Sequence, residues 1–89
     1  MTRILIIEDD PHFRATLCGL LAERFPGARL LECKAGEEAL EQLERFSPDL
    51  VLTDLKLPGQ DGFQVTRRIR DLFPDLPVIV LPCFHEPEY

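Results

Sequence analysis

The chain has 89 residues, 45% of them hydrophobic and 29% charged, a composition that supports one small folded core and excludes a multidomain enzyme or a disordered segment. Its formal charge of −6, from 10 Lys and Arg against 16 Asp and Glu, argues against direct nucleic-acid binding, because neutralising a phosphate backbone takes clustered basic residues. The three cysteines, Cys18, Cys33 and Cys83, fit neither a C-x-x-C nor a zinc-site spacing, so reduced thiols and a cytoplasmic location are expected.

The first apolar run, Ile4-Leu5-Ile6-Ile7, is cut short by three acids. It is too brief for a signal-peptide core or a membrane span, and no membrane association is expected. It reads instead as a strand covered on both faces, being β-branched and free of polar alternation. Asp10 then suits a helix N-cap and Pro11 the first helical position. Phe13, Leu17, Leu20 and Leu21 recur at i, i+4, i+7 and i+8 as a buried stripe, until Pro26-Gly27 stops the helix. Leu30-Leu31, flanked by Arg29 and Glu32-Cys33, predicts a weaker strand at a sheet edge. A second helix is expected over residues 36–46, burying Ala39, Leu40 and Leu43 and ended by Ser47-Pro48. Leu50-Val51-Leu52 is a third strand, followed by Thr53-Asp54. A third helix opens near Gly62 and buries Val65, Ile69, Leu72 and Phe73, before Pro74 and Pro77 force the chain out. Residues 78–81 form the fourth strand, and Glu86-Pro87-Glu88 suits the first turn of a further helix. Strand and helix alternate throughout, which predicts βαβ units with right-handed crossovers and a parallel sheet.

In such a sheet, ligands bind beyond the carboxyl ends of the strands. The first strand ends in Glu8-Asp9-Asp10 and the third in Thr53-Asp54, so adjacency of those strands would gather several carboxylates at one edge. Their mutual repulsion calls for a cation, and oxygen donors without His or Cys favour Mg²⁺. Asp54 beside a metal is then placed as a nucleophile toward phosphorus. Each piece also has a plainer reading. Asp10 caps a helix, Glu8 favours the helix's positive end, and the stretch from Asp54 to Gly62, with Pro58-Gly59 and Asp61-Gly62, is a long turn.

Taken together, Ile4-Leu-Ile-Ile-Glu8-Asp9-Asp10-Pro11, then Pro48-Asp-Leu-Val-Leu-Thr-Asp54-Leu-Lys56-Leu-Pro58-Gly-Gln-Asp61-Gly62, then Pro77-Val-Ile-Val-Leu81, resemble the receiver domain of two-component response regulators. The resemblance implies an α/β, flavodoxin-like (CheY-like) doubly wound parallel sheet with the second strand at the edge, then the first, third and fourth. It implies that Asp54 is the phosphoacceptor for a phosphoryl group from a sensor histidine kinase. Mg²⁺ is then held by Asp9 and Asp54 side chains and the Lys56 backbone carbonyl, with Glu8 acting through water. The domain so implied is a phosphoacceptor signalling module rather than an enzyme, although it catalyses its own phosphorylation and dephosphorylation.

The sequence departs from the family pattern in two respects. Pro82 stands where the family has a Ser or Thr after the fourth strand, and the fifth strand with its Lys, the aromatic switch residue and the last helix have no counterpart. The expectation is a receiver domain over residues 1–89, truncated after the fourth strand, with no output domain. Its exposed fourth-strand edge would be open to homodimerisation or domain swapping. A non-switching pseudo-receiver acting as an interaction module is the alternative that Pro82 favours. Lys56 could supply a point charge, but a solvated loop lysine is the simpler reading. A haloacid-dehalogenase-type site needs an Asp where Lys56 stands, and an EF-hand loop fails at Lys56 and Pro58. Cys83, His85 and Glu86 make a weak metal clip, and Arg67, Arg68 and Arg70 are offset by Asp71 and Asp75.

Overall fold

Strands and helices alternate along the chain in the computed structural model, which describes residues 2–54, 56–57 and 60–81, with 56–57 and 60–62 as backbone alone. The elements are β1 (Arg3–Ile7), α1 (Pro11–Arg24), β2 (Arg29–Cys33), α2 (Gly36–Phe46), β3 (Leu50–Asp54), β4 (Lys56–Leu57), β5 (Gln60–Asp61), α3 (Gly62–Leu72) and β6 (Val78–Leu81). The main sheet has the order β2-β1-β3-β6 and every pairing in it is parallel. This is the doubly wound α/β arrangement expected of the sequence, with β2 at one edge and β6 at the other.

The two central strands, β1 and β3, are buried on both faces by helices. Leu5, Ile7, Cys33 and Val51 meet Ala39 and Leu43 of α2 and Val65 and Ile69 of α3 on one side. On the other, Ile4, Ile6 and Leu52 meet Leu17, Cys18 and Leu21 of α1. Uninterrupted apolar runs are what such double coverage requires.

Two expected stripes are corrected in part. Leu20 is 57% exposed, and no residue of α1 is fully buried. Cys18 belongs to the face that meets the sheet, and Leu20, two positions further on, lies on roughly the opposite side of a helix with 3.6 residues per turn. In α3, Val65 and Ile69 are fully buried, but Leu72 is 55% exposed because it ends the helix beyond the N-terminal edge of the strands.

Local signals set the boundaries. Asp10 Oδ1 accepts hydrogen bonds from the His12 and Phe13 backbone N–H groups at 2.9 and 3.2 Å, as its N-cap reading requires. Ser47 ends α2 in the left-handed region (φ 50°), where its N–H donates to the Leu43 carbonyl. The stretch after Asp54, read as a turn, contains a two-residue antiparallel ladder pairing Lys56 with Asp61 and Leu57 with Gln60. Pro58, Gly59, Pro82, Cys83, His85, Glu86, Pro87 and Glu88 lie outside the described residues, and with them the readings made on those positions.

Candidate functional site

The β1–β3 register builds the site. Ile7 pairs with Thr53, so the next residues, Glu8 and Asp54, emerge side by side at the carboxyl ends of two central strands. Glu8 and Asp54 are buried, at 0% and 1% exposure, while Asp9 faces solvent. One carboxylate oxygen from each of Glu8, Asp9 and Asp54 lies within 4.8 Å of the others. The acids that the sequence singled out are thus brought together, except Asp10, which caps α1.

Glu8 is held by its neighbours in a definite pose. Its Oε2 accepts a hydrogen bond from the Asp10 backbone N–H at 2.9 Å, and its Oε1 is buried with no hydrogen-bond partner. Burial pushes the Glu8 carboxyl up to about 7, and the neighbouring Asp54 charge adds to the rise; the Asp10 N–H opposes it. A buried carboxylate with an unsatisfied oxygen, facing two more carboxylates, is a setting that a hard divalent cation relieves.

The contacts of two surrounding residues, Arg14 and Thr53, escaped the sequence reading. Arg14, in the first turns of α1, donates from Nη1 to the Glu8 backbone carbonyl at 2.7 Å and from Nε to Glu32 Oε1 at 3.1 Å. Thr53 is fully buried and donates from Oγ1 to the Asp54 carbonyl at 3.2 Å. Arg14 stands one turn beyond the N-cap, so its helix position was a usable signal, whereas its link to Glu32 depends on how α1 sits across β1 and β2.

Neither described cysteine belongs to this donor set. Cys33 ends β2 directly beside Ile7, but burial and the nearby Glu38 hold its thiol up at about 12. Burial and Glu32 likewise raise the thiol of Cys18. Both are protonated, unreactive packing groups at neutral pH. Among the described residues the cluster is therefore made of oxygen donors alone, a set that suits Mg²⁺ rather than zinc or copper. The Lys56 backbone lies in β4, two residues past Asp54.

Residues 4–89 match the family model of the response regulator receiver domain. The transcriptional activator protein ExaE of Pseudomonas putida is 41% identical over 76 residues, covering 85% of this chain and 36% of that protein. Among solved structures, the signal receiver domain of a DNA-binding response regulator from Colwellia psychrerythraea 34H superposes with a TM-score of 0.87 at 31% identity, covering 99% of this chain and 73% of that one. The response regulator TrrA of Thermotoga maritima, solved in complex with Mg²⁺ and BeF, gives a TM-score of 0.87 at 34% identity, covering 96% of this chain and 72% of that one. The chain belongs to the response regulator receiver domain family. It spans 23% to 36% of the length of the first curated relatives it matches. Its fold is that of a signalling module of two-component systems.

Among the described residues, no helix is long and apolar enough to cross a membrane.

Proposed function

We propose that this receiver domain works in the cytoplasm and accepts a phosphoryl group on Asp54 from a phosphohistidine of a sensor histidine kinase, in a Mg²⁺-dependent reaction. The observation that carries the reading is the meeting of Glu8, Asp9 and Asp54 within 4.8 Å, with a buried Glu8 oxygen lacking any hydrogen-bond partner. In the reaction an Asp54 carboxylate oxygen forms a bond to phosphorus, the bond from phosphorus to the kinase imidazole breaks, and the imidazole departs with the electron pair. Mg²⁺, when bound, supplies positive charge to the phosphoryl oxygens. Asp9, Asp54 and the Lys56 carbonyl would hold it, with Glu8 contributing through water. Burial fixes the Asp54 side chain in one place, and the Thr53 hydroxyl steadies the backbone that carries it. Phosphoryl transfer asks a protein mainly for such positioning and charge neutralisation.

The reading is tested by adding Mg²⁺ and beryllofluoride, a phosphoryl mimic, and following thermal unfolding. The wild-type midpoint should rise with both present and much less with either alone, while Asp54→Ala should not respond to beryllofluoride. A beryllofluoride response equal in the two proteins would remove Asp54 from the role.

A second reading rests on two observations. Pro82 has no hydroxyl to offer a phosphoryl group, and among the described residues β6 is an edge strand of the sheet, with Ile79 50% exposed. Both favour a module that acts by pairing its β6 edge with a second copy. Sedimentation over a range of concentrations tests it, with a monomer at every concentration as the contrary result.

A further inference from the structure

The acidic cluster lies at the carboxyl ends of the strands; a separate feature occupies the other end, about 13 Å away along β3 at roughly 3.3 Å per residue. Three cavities there, of about 420, 250 and 370 Å³, share Phe73 and run together as one groove between the C-terminal half of α2 and the segment from Leu72 to Pro77 that leaves α3. Its floor is apolar, made by Leu40, Leu43, Phe73 and Leu76, with Leu72 standing 55% exposed on one wall. Its rim is acidic. Glu41, Glu44, Asp49 and Asp75 line the cavities, and no Lys or Arg does. Asp49 is occupied through Oδ2 by the Arg3 backbone N–H at 2.8 Å. Glu41, Glu44 and Asp75 make no ion pair among the described residues.

We propose that this groove is a docking site for a basic amphipathic helix of a partner protein. Charge complementarity selects the occupant, because uncompensated carboxylates around an apolar floor repel acidic peptides, nucleic acid and anionic membrane surfaces and attract a Lys- or Arg-flanked apolar stripe. The shape selects a helix. An apolar trough walled along one side by α2 receives apolar anchors spaced i, i+3 or i+4, i+7 along a docked helix, whereas an extended strand needs a free sheet edge. The site is independent of Asp54: it shares no residue with the acidic cluster and sits at the opposite ends of the strands. Binding here would let a partner recognise the domain while the phosphoacceptor edge stays open to a kinase.

The test is a ¹⁵N–¹H titration of the labelled protein with a synthetic peptide of about 18 residues, about five helical turns, carrying a leucine stripe flanked by lysines. Amide shifts should concentrate at residues 40–47, 72, 73, 75 and 76. Joint Glu41→Lys and Glu44→Lys substitution, both on exposed positions and checked for retained fold by circular dichroism, should weaken binding roughly tenfold, about 1.4 kcal/mol. A peptide with glutamate in place of lysine should fail to bind, and Asp54→Ala should bind the basic peptide as wild type does. Shifts centred on Glu8 and Asp9, unchanged affinity after charge reversal, or equal binding of the acidic peptide would each overturn the proposal. So would concentration-dependent shifts at the same residues without peptide, which would assign the groove to a second copy of this chain.

Discussion

Arg14 is bonded to Glu8 through the peptide carbonyl and not through the carboxylate, with Nη1 2.7 Å from the Glu8 oxygen. Its Nε is committed to Glu32 at 3.1 Å, so this guanidinium joins α1, the end of β1 and the end of β2 without neutralising the acidic cluster. Its side chain is only 15% exposed, which partly shields the bond to the Glu8 carbonyl, whereas the bond to Glu32, itself 51% exposed, stays open to water. Arg14→Ala should therefore destabilise the fold by about 2 kcal/mol, the usual size for charge-assisted hydrogen bonds, and loosen the backbone that presents Glu8 and Asp9. Urea unfolding and Mg²⁺ calorimetry on the variant check both effects. Arg14→Lys should recover only part of the loss, since one ammonium cannot reproduce the two-armed geometry.

Glu8 sets a pH dependence. Its carboxyl is raised from the ordinary 4.5 to about 7 by burial and by Asp54. Between those values the folded chain keeps a proton that the unfolded chain has lost. The contribution to stability is thus fully present below about 4.5 and falls as pH rises through about 7. Without divalent metal, the fall should be up to about 3 kcal/mol, or on the order of 10–20 °C in Tm. Glu8→Gln should flatten this slope and be more stable than wild type at pH 8, as measured by thermal unfolding across pH in the presence of a chelator. Saturating Mg²⁺ should restore wild-type stability at pH 8, because bound cation favours the ionised carboxyl.

Asp10 separates a capping role from a ligand role. It accepts from two backbone N–H groups at the start of α1, so Asp10→Ala should lose about 1 kcal/mol of stability. The Asp10 N–H that donates to Glu8 Oε2 survives the substitution, and Mg²⁺ affinity should stay at the wild-type value. Denaturant midpoints and calorimetry distinguish this outcome from a ligand's loss, in which affinity would collapse.

Much of this was legible in the sequence because the determining signals are local. Asp10-Pro11, Pro26-Gly27, Ser47-Pro48 and Pro74 mark helix ends by backbone chemistry alone, and the unbroken apolar runs identify buried parallel strands. The meeting of Glu8, Asp9 and Asp54 followed once β1 and β3 were taken as neighbours. What escaped depends on angles between elements. The rotation of α1 that turns Cys18 inward and Leu20 outward, and the reach of Arg14 to Glu32, are set by packing across the sheet rather than by spacing. The groove between α2 and the segment that leaves α3 joins residues about thirty positions apart and has no sequence signature of its own.

Ser47 offers a change that should stabilise. It adopts φ 50° at the end of α2, a conformation that costs a side-chain-bearing residue and is free to glycine. Its hydroxyl donates to the Glu44 carbonyl at 3.1 Å, an exposed bond that recovers little of that cost. Ser47→Gly should gain a few tenths of a kcal/mol, up to about 1, read as a higher urea midpoint with unchanged slope.

The central claim, that the acidic edge makes Asp54 a Mg²⁺-dependent phosphoacceptor, is tested most directly by intact-mass spectrometry after incubation with a small acyl phosphate. Wild-type protein with Mg²⁺ should gain the mass of one phosphoryl group, removable by hydroxylamine as an acyl phosphate requires, and neither Asp54→Ala nor wild type with chelator should gain it. No adduct on the folded wild-type protein, or an adduct that persists in Asp54→Ala, would contradict the account.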